Sequence, residues 1–268
     1  MSENAPSVIF KVEDGVGWII LNRPEARNAL NMEMRGIYFS ALEQCATDHA
    51  IRCVVLTATG KGFCTGADLS GSRALKADDG PPHPGATRNA MASSVKTIRA
   101  LWDLEKPIIA AVNGVAAGLG AHLAWACDLV IAAEESRFIE IFVRRGIALD
   151  ALGGFLLPRL IGLHKAKELV FFGDDLSAVD AEKLGLVNKV VPGAELEAET
   201  RKWAKRLAEG PTFAIGMSKR LLNRSLQTDL EGFAAEEAFT QAIVANSEDM
   251  REGIKSFMEK RPPAFKGR

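Results

Sequence analysis

Two glycine-rich segments, each of which follows a short apolar run, constrain this chain more than any other feature. The first covers residues 60–69 and follows the run at residues 53–57, and the second covers residues 113–120. Small side chains leave backbone N–H groups accessible at a turn or at the start of a helix. Two such loops can direct N–H groups at one oxygen atom from two sides, which is the arrangement of an oxyanion hole.

The composition indicates a globular protein without a global attraction to polyanions. The chain has 268 residues, of which 47% are hydrophobic, enough to fill one large core. Its 33 basic and 34 acidic residues nearly cancel. We therefore expect neither nucleic acid nor a membrane as a partner, and an anionic ligand has to meet local positive charge.

The cysteines and the N-terminus predict a reducing, cytoplasmic location. Cys45, Cys53, Cys64 and Cys127 show no CxxC pairing, which indicates reduced core thiols and predicts neither a disulfide framework nor a metal site. The first seven residues are short and polar, and no apolar stretch is long enough to span a bilayer.

The first third of the chain has the pattern of a hairpin followed by a β-α-β unit. Apolar runs at residues 8–12 and 16–21 flank Asp14-Gly15, which accepts the backbone of a tight turn. A helical pattern over residues 32–47 then precedes the strand-like run at residues 53–57. Residues 70–90 are rich in proline and aspartate and predict a mobile loop.

The middle of the chain continues this alternation. A helix is predicted over residues 91–104, a strand over 106–112, a helix over 118–127 and a strand over 129–132. Alternating strands and helices predict an α/β fold of stacked parallel sheets with covering helices.

From residue 163 onward the patterns are mainly helical, with one strand-like run at residues 187–191. We expect an α/β core over residues 1–195 and a helical C-terminal region over residues 196–268. In the aromatic and basic tail at residues 257–265, two prolines stop the preceding helix. This tail is either solvated or placed to meet a phosphate.

Two nucleotide-binding motifs are excluded by their spacing. Lys61 is followed by Gly62, whereas a phosphate-binding loop requires serine or threonine after the lysine. Leu123 occupies the place of the third glycine in a dinucleotide fingerprint that would begin at Gly118. Taken singly, each loop has the sequence of an ordinary strand-to-helix turn. The two loops together are a more specific signal for an oxyanion hole than either one alone.

Four segments together resemble the crotonase superfamily, the enoyl-CoA hydratases and isomerases. They are NRPEARNAL at residues 22–30, GFCTGADL at 62–69, KPIIAAVNG at 106–114 and CDL at 127–129. The resemblance extends over nearly the whole chain. It implies a spiral core of repeated ββα units, a helical C-terminal region used for trimerisation, and an acyl-CoA thioester as the substrate.

The resemblance also implies the residues of the binding site. The amides of Ala67 and Leu119 would bind the thioester oxygen. The remaining substrate contacts would come from Arg27, Ala67, Asp68, Leu69, Gly118, Phe257 and Lys260. Coenzyme A would be part of the substrate, so no separate cofactor is expected, and the chain would form a homotrimer or a dimer of trimers.

The acid and base groups depart from the hydratases that the chain resembles. Those enzymes use two glutamates, and the matching positions here hold His122 and Phe142. A shift of two residues in the second match would offer Glu140 instead. A strict hydratase is therefore doubtful unless His122 or Glu140 substitutes for the missing carboxylates.

Asp150 is the first candidate base, because some isomerases and dehalogenases of the superfamily hold an aspartate at this position. Burial among the apolar residues of an acyl pocket would raise its pKa toward neutrality. The alternative is that Asp150 caps the helix that follows it.

His122 is the second candidate for proton transfer, and the alternative is that it is a packed, hydrogen-bonded histidine without a catalytic role. For Arg144 and Arg145 solvation or ion pairing is preferred over catalysis.

Three functions fit these observations. The leading one is an enzyme that forms or protonates the enolate of an enoyl-CoA, as a hydratase or double-bond isomerase does. The second is attack by Asp150 as a nucleophile on an aryl-CoA. The third is a non-catalytic acyl-CoA binding protein.

Overall fold

A computed structural model describes residues 5–70 and 83–268. The described residues form ten strands, arranged in one six-stranded and one four-stranded sheet, and ten α-helices. The predicted α/β class with stacked sheets and covering helices is therefore confirmed.

The six-stranded sheet begins with the predicted hairpin. Strands β1 (Val8–Glu13) and β2 (Val16–Leu21) are antiparallel, and Asp14 and Gly15 between them have φ angles of 51° and 75°. The parallel part of the sheet consists of β3 (Cys53–Ala58), β5 (Ile108–Val112), β7 (Leu129–Ala133) and β10 (Lys189–Val191). The strand order is β1-β2-β3-β5-β7-β10, so each crossover adds one strand to the same edge.

The four-stranded sheet consists of very short strands that no sequence pattern separated from the adjoining loops. They are β4 (Gly62–Cys64), β6 (Val115–Ala117), β8 (Arg137–Ile139) and β9 (Asp175–Ser177), in the order β4-β6-β8-β9. Three residues do not define an alternation of polar and apolar side chains, so periodicity could not identify these strands. This sheet nevertheless places both glycine-rich loops, because β4 and β6 are parallel neighbours.

The helices cover the sheets and complete the C-terminal part of the chain. Their bounds are α1 (Met32–Thr47), α2 (Pro84–Trp102), α3 (Leu119–Trp125), α4 (Gly153–Ile161), α5 (Leu163–Phe172), α6 (Ala178–Lys183), α7 (Leu196–Ala208), α8 (Thr212–Ser225), α9 (Leu230–Val244) and α10 (Glu248–Met258). Helix α7 packs on the six-stranded sheet, where Leu196 and Ala204 join a buried cluster with Val55 and Ile109. The division at residue 195 stays a prediction.

The predicted loop over residues 70–90 is wrong in its last part, because α2 already begins at Pro84. Proline is favoured at the first position of a helix, where its missing N–H costs nothing. The His83 side chain caps this helix by accepting a hydrogen bond from the Gly85 N–H (3.0 Å). The rest of the predicted loop, residues 71–82, lies outside the described residues.

Two glycines let the backbones of the four-stranded sheet approach each other closely. A Cβ atom at Gly114 would overlap the carbonyl oxygen of Lys61, and a Cβ atom at Gly120 would overlap that of Cys64. Neither obstacle is a movable side chain. The sequence of the second glycine-rich loop is therefore fixed by its contact with the first, as well as by any ligand.

We expect Gly120→Ala to destabilise the protein by about 1–3 kcal/mol, the typical cost of overpacking a rigid interior. The matched control is Gly36→Ala on the exposed face of α1, where a Cβ atom meets nothing within 4 Å. That substitution should stabilise by about 1 kcal/mol because alanine is the better helix former. Urea unfolding of both variants tests the contrast, and equal midpoints would refute the close-approach argument.

Candidate active site

The segment at residues 22–30 holds the first glycine-rich loop in place through the buried side chain of Asn28. Its Nδ2 donates to the carbonyl oxygens of Thr59 (3.0 Å) and Gly62 (2.8 Å), while its Oδ1 accepts from the Arg23 N–H (2.8 Å). Asn28 itself has a φ of 56°, a left-handed conformation that asparagine tolerates. These bonds satisfy backbone groups of the segment that precedes β4 and of the first residue of β4.

Backbone pairing with Leu30 determines the orientation of the Ala67 amide. Leu30 N–H donates to the Gly66 carbonyl (2.8 Å), and Asp68 N–H donates to the Leu30 carbonyl (3.0 Å). In a parallel bridge of this kind the residue between the two bonds turns its own N–H away from the partner strand. Among the described residues the Ala67 N–H has no hydrogen-bond acceptor.

The second loop presents an amide at the start of α3. Gly118 has φ 53° and ψ −124°, a backbone conformation that favours glycine, and its N–H donates to the Ile139 carbonyl (2.9 Å). Leu119 is the first residue of α3, so its N–H has no acceptor within the helix. The two loops are adjacent, since a Cβ atom at Gly66 would lie 3.7 Å from the Leu119 nitrogen.

Two charged residues of the predicted binding site, Arg27 and Asp68, lie at the edge of the first loop. Arg27 is exposed, and its carbonyl accepts the Thr65 N–H (3.2 Å), so its side chain begins beside this loop. Asp68 accepts from the Ser70 N–H (2.9 Å) and from Arg23 Nη1 (2.6 Å). Hydrogen bonds from Ser70 and Arg23 lower the pKa of Asp68 to about 2. Asp68 therefore stays ionised and closes the turn.

His122 and Glu140 meet at the ends of two neighbouring parallel strands. Strand β6 leads into α3, which carries His122 one turn in, and β8 ends immediately before Glu140. His122 Nε2 lies 2.9 Å from Glu140 Oε1, and both side chains are almost completely buried. Within the described chain, His122 Nδ1 and Glu140 Oε2 are buried without a hydrogen-bond partner.

The His122 ring is enclosed by specific packing. Phe142 stacks on it with a centroid distance of 5.6 Å and an interplanar angle of 20°. A Cβ atom at Gly153 would overlap the imidazole, so glycine leaves the room that the ring occupies. His122 is thus a packed and hydrogen-bonded residue, but its second nitrogen remains unsatisfied.

Asp150 reaches the same cluster from a strained turn before α4. The next two residues, Ala151 and Leu152, have φ angles of 47° and 63°, which are unfavourable for residues with a Cβ atom. The Asp150 side chain does not cap α4, so the capping alternative is wrong; the Asp150 carbonyl accepts the Gly153 N–H instead. Its Oδ1 is buried without a hydrogen-bond partner among the described residues.

The surroundings of Asp150 favour its neutral form. Burial raises the pKa of the Asp150 carboxyl, the electrostatic interaction with His122 opposes this, the interaction with Glu140 raises it further, and Arg35 lowers it. The net direction is upward from the ordinary value. A carboxyl shifted in this direction is suited to proton transfer closer to neutral pH.

Arg35 is a buried cation that sequence reasoning did not single out. Its Nη1 donates to Ser93 Oγ (3.0 Å) and Thr97 Oγ1 (3.2 Å) of α2, and burial lowers its pKa while Asp150 and Cys64 oppose this. Burial also raises the pKa of Cys64 to about 12, so this thiol stays protonated. The helical pattern of α1 gave no signal that the arginine points inward.

The roles of Phe257 and Lys260 in the site stay predictions. Phe257 lies at the end of α10 and is 84% exposed. Arg144 forms an ion pair with Asp175 (2.8 Å), which agrees with its structural interpretation.

Cavity volume alone does not identify this site. Two clefts of about 790 and 920 Å³ lie where the C-terminal helices meet the core, and neither is lined by the glycine-rich loops.

No metal site is found among residues 5–70 and 83–268. In these ranges no group of three or more histidine, cysteine, aspartate or glutamate side chains could bind a metal ion. The helices in these ranges include none that is sufficiently long and apolar for a membrane span. The four cysteines are free and buried.

Comparison with known proteins gives the same family over the whole length. Residues 11–268 match the family described as enoyl-CoA hydratase/isomerase. The chain is 38% identical to the 1,2-epoxyphenylacetyl-CoA isomerase of Escherichia coli, covering 97% of this chain and 98% of the relative. It is 35% identical to the crotonyl-CoA hydratase of Syntrophomonas wolfei, covering 97% of each.

The solved structures agree with the sequence comparison. The enoyl-CoA hydratase/isomerase of Cupriavidus metallidurans superposes with a TM-score of 0.90 at 33% identity, covering 99% of this chain and 98% of the other. The predicted crotonase-like fold is therefore confirmed.

We expect Asp150→Asn to raise thermal stability at pH 7. A raised pKa means that the folded protein binds this proton more tightly than the unfolded chain, so stability falls as pH rises above the ordinary value of 3.8. Asparagine removes that loss, and the difference should vanish below pH 3.8, where the aspartate is protonated in both states. Thermal melts from pH 3.5 to 8 measure it. Asp174→Asn, at an exposed position, is the control, and a stability gain that does not depend on pH would contradict the argument.

Proposed function

Because the chain belongs to the enoyl-CoA hydratase/isomerase family, we propose that it forms and protonates the enolate of its acyl-CoA substrate, using the Ala67 and Leu119 amides as an oxyanion hole. The observation that carries this proposal is the pair of adjacent loops whose Ala67 and Leu119 N–H groups donate to no acceptor among the described residues. Negative charge on a thioester oxygen is costly in water, and two preset donors can lower that cost by several kcal/mol.

Processing of acyl-CoA substrates follows from the family, and the coenzyme A contacts are part of the proposal. The exposed Arg27 side chain begins beside the first loop and is available to the phosphates of coenzyme A. Asp68 and Leu69 follow Ala67 in the chain, and Gly118 precedes Leu119, so these three residues are proposed to contact the substrate beside the two amides. Coenzyme A enters as part of the substrate, and the proposed reaction needs no separate cofactor.

Asp150 is the proposed base. A thioester held by the two amides exposes its α-proton to a group in the adjoining cluster, and the pKa of Asp150 is raised by burial. Removal of this proton leaves an enolate whose electron pair can be protonated at the α- or γ-carbon. One carboxyl group that takes up and returns a proton is sufficient for a shift of the double bond.

Self-association is the proposed state of the chain. Large apolar side chains on the C-terminal helices are exposed, among them Leu230 (75%), Phe239 (74%) and Phe257 (84%). Exposed apolar surface of this kind supports an interface between copies of the chain. A homotrimer or a dimer of trimers would also allow Phe257 and Lys260 of a second copy to reach the coenzyme A.

A cytoplasmic location remains part of the proposal. The four cysteines are free, and burial raises the pKa of Cys45 and Cys64 to about 12, which supports a protein that keeps its thiols reduced.

Asp150→Asn should abolish deuterium uptake at the α-carbon of butyryl-CoA in heavy water, with a loss of about 100-fold or more. The oxyanion amides are untouched, so affinity for the thioester should change little. Mass spectrometry of the thioester measures exchange, and isothermal titration measures binding. Asp174→Asn is the control.

Exchange in the wild type that survives Asp150→Asn would assign the base to another residue. Binding without exchange in the wild type, with every thioester tested, would leave a non-catalytic acyl-CoA binding protein.

Light scattering coupled to size exclusion should give three or six times the chain mass of 28.9 kDa. A trimer forms because the apolar surface of the C-terminal helices is removed from water. A monomeric mass at micromolar concentration would contradict the proposed assembly.

A further inference from the structure

Three of the six buried polar atoms that have no hydrogen-bond partner in the described chain belong to one cluster. They are His122 Nδ1, Glu140 Oε2 and Asp150 Oδ1. Unsatisfied buried polar atoms are rare in folded proteins, and each costs free energy. Their concentration next to the glycine-rich loops indicates that this place accommodates a polar ligand.

The hydrogen-bonding chemistry of the cluster specifies what kind of ligand it accepts. With Glu140 ionised, its Oε1 accepts the proton of His122 Nε2, so Nδ1 of a neutral imidazole is an acceptor. Glu140 Oε2 is an acceptor as well, and the Asp150 carboxyl group can accept or donate a hydrogen bond according to its protonation state. An O–H donor satisfies such a set, and a water molecule or a substrate hydroxyl group has that chemistry.

We propose that His122 and Glu140 form a second proton-transfer unit that binds the water added to, or the hydroxyl lost from, the β-carbon of the substrate. This inference rests on the enolate chemistry proposed above and extends it from double-bond isomerisation to hydration. The imidazole replaces the carboxylates whose positions here hold His122 and Phe142.

The proposed hydration balances with His122 and Asp150 as the two proton carriers. His122 Nδ1 takes a proton from the water as the water oxygen bonds to the β-carbon. The π electron pair of the double bond moves toward the thioester oxygen, which the Ala67 and Leu119 amides hold. The carboxylic acid of Asp150 then gives its proton to the α-carbon. Transfer of the imidazolium proton to the Asp150 carboxylate restores the starting state.

Glu140 acts through His122 and is a positioning residue. Its carboxylate fixes the proton on Nε2, which leaves the lone pair on Nδ1 for the water, and its negative charge stabilises the imidazolium that forms. Phe142 stacks on the ring and Gly153 leaves the room for it, so the orientation of the imidazole is determined by packing.

The test separates the two proton-transfer units in the same protein samples. Addition of ¹⁸O-labelled water to crotonyl-CoA reports the proposed unit, and α-deuterium uptake by butyryl-CoA reports Asp150 and the oxyanion hole. The variants are His122→Gln, which can keep a hydrogen bond to Glu140 without a titratable nitrogen, and Glu140→Gln. Matched controls are His164→Gln and Glu168→Gln, both at exposed positions.

We expect His122→Gln to lose water addition by about 100-fold or more and to lose clearly less of its deuterium uptake, at most about 10-fold, because exchange proceeds through Asp150, whose pKa His122 influences. For Glu140→Gln we expect a loss of about 10-fold to 100-fold in kcat for hydration with KM little changed, because the residue positions the imidazole. The retained exchange shows that each variant is folded at its site.

Three outcomes would overturn the inference. Deuterium exchange by the wild type without water addition to any 2-enoyl-CoA would refute the hydration inference and leave the proposed enolate chemistry intact. A proportional loss of exchange and hydration in both variants would assign His122 and Glu140 a structural role. Full hydration by His122→Gln would place the water elsewhere. Absence of exchange in the wild type would instead refute the underlying enolate proposal.

Discussion

The close approach of two backbones is the constraint on which the candidate site depends. Strands β4 and β6 lie so near each other that Gly114 and Gly120 have no room for a Cβ atom beside the carbonyl groups of Lys61 and Cys64. This contact aligns the ends of the two strands, and each strand end leads into a loop with an N–H that has no internal acceptor among the described residues. The arrangement of the two proposed oxyanion donors is thus determined by the sheet itself.

The same sheet brings the proposed acid and base groups to the neighbourhood of those amides. Because β6 and β8 are parallel neighbours, the residues that follow them lie side by side, which is how His122 meets Glu140. Asp150 arrives from a different element through a turn with two residues in the left-handed region. Strain of this kind persists only where the surrounding structure enforces it, and it is common at functional sites.

Sequence reasoning identified the loops because their signal is local. Glycine at a strand end, Asp14-Gly15 in the hairpin and the helical periodicity of α1 all act within a few residues, and the structure confirms each of them. The pairing of His122 with Glu140 and the burial of Arg35 depend on contacts between distant segments, which no pattern within one element specifies. Several motif residues also serve the fold: Asn28 bonds three backbone groups, Lys106 Nζ donates to the carbonyls of Cys45 and Asp48, and Asp128 binds Lys219 of α8.

The absence of a side chain at residue 153 links three positions of the chain. The imidazole of His122 occupies space that any larger residue at 153 would fill, and its Nε2 depends on Glu140 for a partner. A substitution at one of these positions therefore changes the surroundings of the other two: a side chain at 153 displaces the ring, and loss of the carboxylate at 140 leaves a second buried nitrogen without a partner. The effect of changing two of these residues together is then not the sum of the two separate effects.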